Sequence, residues 1–173
     1  MTRASRSYGY LLAAAVLCID FASKRYVLAH RTEFLDGIPL IDGILSFTYV
    51  RNAGAAFGMF QGGRWPFIAV SCVAAIALAV ALWRAKGQSP RRGAYALILA
   101  GAVGNLIDRL FYGGSVVDFI LMSWKGHNFP VYNVADMGVS IGAALLIWTM
   151  LREPRELNET DELDGAAEVR VDP

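Results

Sequence analysis

Four stretches of this chain are apolar for about the length a helix needs to cross a bilayer: residues 8–28, 65–83, 93–112 and 134–151. A hydrocarbon core of ~30 Å takes roughly 20 helical residues at about 1.5 Å rise each, so each stretch reads as a transmembrane span. The second opens with Trp65-Pro66, placing proline in the first turn, where its missing N–H is not needed. The second and third have almost no polar face, which sets them apart from the buried helices of a soluble all-α domain. Between the first and second spans the pattern changes. Gly37, Pro39, Asp42 and Gly43 punctuate short β-prone pieces such as residues 45–50, which predicts a small strand-containing platform. Phe57, Met59, Phe60 and Trp65 add apolar bulk suited to a membrane interface.

Composition agrees, since 55% hydrophobic residues exceeds the usual content of a soluble domain of 173 residues. The net charge of +1 hides an asymmetry. Residues 1–151 carry thirteen bases against seven acids, a net of +6, and residues 152–173 carry three against eight, a net of −5. The first part reads as a single membrane-embedded domain. The second is acidic, poor in aromatics and aperiodic, which predicts a disordered tail.

Arg84, Lys86, Arg91 and Arg92 crowd the short link between the second and third spans, so that link is expected in the cytoplasm. Arg3, Arg6, Arg152 and Arg155 then fall on the same side, as four crossings require, with both termini inside. The connections 29–64 and 113–133 lie outside. The expected fold is therefore an all-α polytopic membrane protein of four transmembrane helices with a small strand-containing extracytoplasmic cradle. Cys18 and Cys72 sit in apolar stretches and suggest no disulfide. The basic-then-apolar start resembles a signal peptide, but no small-x-small site follows and Leu17 precedes Cys18, so the segment reads as retained.

The anomaly is charge at membrane depth: Asp20, Asp108 and Asp136 lie inside candidate spans, and Asp118 lies in the apolar run 116–122. A carboxylate there costs roughly 3 kcal/mol on insertion scales, which makes each one a functional hypothesis. Asp20 stands four positions before Lys24 on one helix face, and Asp108 adjoins Arg109; both read as structural ion pairs. Asp118 and Asp136 have no such local cation and flank one outer connection. Asp136 shares a helix face with Ser140 and Ala143, while Gly138 and Gly142 form a GxxxG ridge on another side, suited to helix packing. On spacing alone, a catalytic pair and a buried hydrogen-bonded pair both fit. Two carboxyls sharing a site cannot both ionise cheaply, so one keeps its proton while the other acts as general base, as in aspartyl proteases. His30 and His127 are isolated and no clustered ligands appear, so no metal or other cofactor is expected. Two other readings fit the pattern less well. A small transporter would spread its acids across the membrane, and a GxxxG scaffold leaves the paired aspartates unexplained.

Five blocks occur in order: Asp20-Phe21-Ala22-Ser23-Lys24; Arg51-Asn52-Ala53-Gly54-Ala55-Ala56-Phe57; Gly101-Ala102-Val103-Gly104-Asn105-Leu106-Ile107-Asp108-Arg109; Val116-Val117-Asp118-Phe119; and Tyr132-Asn133-Val134-Ala135-Asp136. Together they resemble lipoprotein signal peptidase (signal peptidase II). The resemblance implies a four-helix enzyme of the bacterial cytoplasmic membrane, with its active site near the outer face. The implied substrate is a diacylglyceryl-modified prolipoprotein, cut immediately before the modified cysteine. By motif position Asp118 and Asp136 match the catalytic dyad, Asn52, Gly54, Asn105, Arg109 and Asn133 match positions near it, and Asp20 and Lys24 match a first-helix pair. Asn105 and Arg109 also fit a purely structural role as i, i+4 neighbours. Tyr132 stands where phenylalanine is common, and Met137-Gly138 where small polar residues are frequent. Membrane lipid is the other expected partner, nucleic acid is not, and the chain is expected to act as a monomer.

Overall fold

The computed structural model describes residues 3–54, 64–85 and 89–152. In chain order it runs α1 (Arg3–Ala29), a short α2 (Arg31–Phe34), β1 (Ile38–Ile41), β2 (Leu45–Asn52), α3 (Arg64–Arg84), α4 (Pro90–Phe111), β3 (Val116–Trp124), β4 (His127–Asn128) and α5 (Val134–Arg152). The four apolar stretches become α1, α3, α4 and α5, each within a few residues of its expected bounds. Local chemistry sets one end: Ser89 caps α4 through its hydroxyl, which accepts from Arg92 N, and Pro90 begins the helix.

Helix α4 is central and packs against α1, α3 and α5. Small residues bring α4 and α5 together. A Cβ on Gly142 would stand 2.7 Å from Ile98 Cγ1 and 2.9 Å from Ala94 O, and one on Gly138 3.1 Å from Leu97 O. From the other side, a Cβ on Gly101 would collide with the carbonyl oxygen of Ala135. The GxxxG ridge thus faces α4. Helix α3 instead turns Trp65, Val70, Val73, Ile76 and Trp83 outward, each exposed by more than 60%, a distribution suited to lipid and not to water.

The four strands form one antiparallel sheet ordered β1-β2-β3-β4. Lys125 and Gly126, both at positive φ, close the β3–β4 hairpin as a two-residue turn. Beyond it, Tyr132 bridges back to Ile120 on β3 and so delivers the start of α5 to that strand. Val27, Phe34, Phe119 and Ile120 form a small core that ties α1 and α2 to the sheet.

One expectation needs correction and another is met only in part. The architecture is mixed, helices with a four-stranded antiparallel sheet, and not all-α. Strand β3 was not foreseen because its first five residues are buried on both faces and therefore lack the alternation that marks a half-buried strand. Among the described residues, three helices rather than four are long and apolar enough to cross a membrane: Trp65–Arg84, Pro90–Phe111 and Val134–Arg152. Asp20, Lys24 and Arg25 interrupt the C-terminal half of α1. The interfacial bulk expected at Phe57, Met59 and Phe60, the cation Lys86 and the acidic tail from Glu153 lie outside the described residues.

The α4–α5 seam yields a test. Gly142→Leu should destabilise the protein by about 1–3 kcal/mol through overpacking, seen as a lower apparent Tm in detergent. Ile141→Leu, on the outward face at 55% exposure, should leave Tm unchanged.

Candidate active site

The first turn of α5 builds half of the site. Asn133 immediately precedes the helix, and its carbonyl accepts from Met137 N. Its side-chain oxygen accepts from Asp136 N at 3.0 Å while Asp136 Oδ2 accepts from Asn133 N at 3.2 Å. This reciprocal cap satisfies two helix-end donors and fixes the Asp136 carboxylate relative to the helix.

Strand β3 supplies the other half. In the β2–β3 register Asn52 lies opposite Val116 and Val50 opposite Asp118, so Asn52 and Asp118 are diagonal neighbours on one face. Asn52 Nδ2 donates to Asp118 Oδ2 at 3.0 Å, and Asn52 Oδ1 accepts from Gly54 N. Asn133 Nδ2 donates to Asp118 Oδ1 at 2.6 Å, so one fully buried asparagine touches both carboxylates. Asn105 on α4 completes the set, its Nδ2 donating to Asp136 Oδ1 at 2.7 Å. Asn52, Gly54, Asn105, Arg109, Asp118 and Asp136 line one cavity of about 300 Å³, together with Val116, Pro130, Val131, Tyr132, Val139 and Ser140. Arg109 extends along its wall with its guanidinium 5.4 Å from the Phe67 ring centroid.

Asp20 and Lys24 are not on the cavity. They lie behind it at 1% exposure each, paired at 2.8 Å. Asp108, equally buried, joins them at 3.4 Å from Lys24 and 2.9 Å from Arg25. This cluster holds the residue before each aspartate: Asp20 Oδ1 accepts from Ala135 N at 2.8 Å, and Asp108 Oδ2 accepts from Val117 N at 3.0 Å. Gly104 permits it, since a Cβ there would stand 2.5 Å from Asp20 Oδ2. The expected Asp108–Arg109 pair does not form, because neighbouring helix positions point about 100° apart. Asp108 is the site-supporting residue that sequence reasoning missed, and its adjacency to Arg109 concealed it. Among the described residues, no group of three His, Cys, Asp or Glu side chains is arranged to hold a metal ion.

Burial raises the Asp118 carboxyl from 3.8 to about 7, and the nearby charge of Asp136 adds to this, against opposing hydrogen bonds from Asn52 and Asn133. Each carboxyl thus meets two N–H donors, one on each oxygen, and the Asp118 carboxyl is the one raised by burial.

Residues 12–152 match the family model described as Signal peptidase (SPase) II. The chain belongs to the signal peptidase II family. Similar members include the lipoprotein signal peptidases of Geobacter sulfurreducens, 44% identical over 80% of this chain and 88% of that one, and of Brevibacillus brevis, 41% identical over 80% and 91%. That of Pasteurella multocida is 34% identical over 94% of this chain and 100% of its own. A solved structure described as a bacterial membrane enzyme structure by the in meso method is also similar, with a TM-score of 0.76 at 32% identity, covering 88% of this chain and 95% of that chain. In this signal peptidase II chain, the described residues of the five sequence blocks meet around the cavity or directly behind it.

The Asp118 shift carries a stability consequence with a definite sign. A carboxyl whose folded value lies above its unfolded one binds protons more tightly when folded, so its contribution to stability is lost as pH rises from about 4 through about 7. Apparent Tm of the solubilised protein should therefore fall more steeply between pH 5 and 8 than that of Asp118→Asn. Parallel Tm profiles would show that Asp118 carries no such shift.

Proposed function

We propose that this signal peptidase uses Asp118 and Asp136 as an aspartyl catalytic pair to cut prolipoproteins immediately before the diacylglyceryl-modified cysteine. The observation that carries this reading is the pair of carboxyls on one cavity, both held by Asn133. Asp136 is the base. Its charged form is matched by the N–H groups of Asn105 and of the α5 N-terminus, where the helix dipole favours an anion. Asp118 holds the proton.

In the first step Asp136 removes a proton from water, the water oxygen bonds to the scissile carbonyl carbon, and Asp118 gives its proton to the carbonyl oxygen. The product is a neutral tetrahedral diol. In the second step Asp136 returns its proton to the departing nitrogen, the C–N bond breaks, and Asp118 regains a proton from the collapsing hydroxyl. Both carboxyls end as they began. Arg109, the fixed cation on the cavity wall, positions the substrate's ester carbonyls or main chain through charge-assisted hydrogen bonds. Asn52 and Asn133 orient the carboxyls, Asn105 orients Asp136, and Gly54 admits the substrate backbone.

The reading includes α1 as a fourth span. Its 27 residues exceed the length needed, its charges Asp20 and Lys24 are hidden against α4, and Leu11, Ile19 and Phe21 face outward. Four crossings with the basic link inside put both termini in the cytoplasm of a bacterial cell and the sheet and cavity at the outer face. Residues 1–151 act as one monomeric peptidase domain in contact with membrane lipid, and residues 152–173 form a cytoplasmic tail.

Two experiments test this. With a diacylglyceryl-modified prolipoprotein and purified enzyme, Asp118→Asn and Asp136→Asn should each lower turnover per folded molecule by at least about 10²-fold with binding retained. The double variant should be no worse, because the two act as a unit. Turnover of the unaltered enzyme should also decline above pH ~7 as Asp118 loses its proton. Near-normal cleavage by either variant rejects the mechanism. For topology, a reporter fused after Leu151 should work only if it functions in the cytoplasm; an exported-type signal there rejects the four-span arrangement.

A further inference from the structure

The two amides between the aspartates have fixed directions, for different reasons. Asn133 Oδ1 accepts from a backbone N–H of α5, so its Nδ2 must point toward Asp118. No backbone donor fixes Asn105. Its Oδ1 faces Lys24 Nζ at 2.9 Å and Asn133 Nδ2 at 3.1 Å, and its Nδ2 faces Asp136 Oδ1 at 2.7 Å. An ammonium has three donors and no acceptor. A reversed Asn105 would therefore oppose N–H to N–H on one side and oxygen to carboxylate oxygen on the other. Lys24 is itself held between Asp20 and Asp108 at 1% exposure and does not reach the cavity. Its third contact is Asn105.

We propose that Lys24 is a positioning residue for peptide hydrolysis, acting on Asp136 through the amide of Asn105. The proposal rests on the reading of Asp118 and Asp136 as the catalytic pair and goes further by placing a remote cation in command of one of them. Lys24 locks the Asn105 oxygen inward, Asn105 then presents an N–H to Asp136, and Asp136 is held as a carboxylate acceptor, the state a general base requires. A simple brace for Asp20 and Asp108 would need no contact with Asn105. The charged groups around this chain are Asp20, Lys24 and Arg25 on α1, Asp108 and Arg109 on α4, and Asp118 on β3.

The test compares Lys24→Met, Asn105→Ala and the double variant in the full-length solubilised enzyme, with kcat and KM measured separately on a lipidated prolipoprotein and normalised to folded protein. Lys24→Met should lower kcat by about tenfold or more with KM within about twofold, and the double variant should be no slower than Asn105→Ala alone, since the relay is already cut. Losses that multiply, or a native kcat in Lys24→Met, overturn the proposal. Asn105→Asp covers the case in which Lys24→Met fails to fold. It keeps an oxygen for Lys24 and Asn133 but puts another carboxyl beside Asp136, and the two share a proton, so Asp136 no longer stands as a free base and kcat should fall with substrate binding retained; a kcat within about threefold of native overturns the relay. Asp118→Asn is assayed alongside. If that variant still turns over, the catalytic-pair reading itself fails, whereas an inactive Asp118→Asn beside a fully active Lys24→Met removes only the relay.

Discussion

A lysine at 1% exposure, placed between two carboxylates that are equally buried, is the feature on which the rest of this structure depends. None of the three charges is stable alone at that depth, because the desolvation of an unpaired ion is worth several kcal/mol. Together they form a compact cluster whose remaining lone pairs and donors are spent on neighbouring elements. Asp20 holds the first turn of α5, Asp108 holds β3, and Lys24 holds Asn105. The cluster therefore does two things with one set of charges: it lets α1 keep polar residues inside the helix bundle, and it fixes the positions of the segments that carry Asp118 and Asp136. Removing any member leaves an uncompensated charge and frees one segment at once.

The helix packing serves the same geometry. Gly101 and Gly104 on α4 have no side chain where α5 and Asp20 approach, so the interior groups meet at hydrogen-bonding distance and not across a layer of methyl groups. Close backbone approach of this kind is the usual use of small residues between helices in lipid. Here it also determines whether the Asp20 carboxylate can reach Ala135 N. Packing and site geometry are one constraint on α4.

The three helices long and apolar enough to cross a membrane were legible because lipid demands about 20 apolar residues in a row, and that demand leaves a direct trace. The Asp20–Lys24 pair was legible for a similarly local reason, an i, i+4 spacing on one helix. Strand β3 was not, because a run buried on both faces loses the alternation that identifies a strand. Asp108 was misassigned to its neighbour Arg109, when its partners are more than 80 positions away on α1. The candidate pair itself lay between these cases. Residue type and depth singled out Asp118 and Asp136, but what brings them together is the Tyr132–Ile120 bridge and the Asn133 amide, neither of which has a local signature. Contacts within one element can be read from spacing; contacts made by chain return cannot.

The two aspartates also differ in how they are held, and the difference follows from the elements that carry them. Asp136 is part of a helix start, so its oxygens meet an N–H of the backbone and an N–H of Asn105, while the α5 dipole favours negative charge at that end. Asp118 sits on a buried strand with no dipole of comparable size, faces two side-chain amides, and has Asp136 nearby; burial and that neighbouring charge raise its carboxyl to about 7. Placing one acid on a helix N-terminus and the other on a strand thus gives the two different surroundings without a metal. In the proposed reaction that difference is what assigns base and acid before substrate arrives. The assignment is built from secondary structure, so it survives changes in the side chains of the cavity wall that alter only which substrates fit.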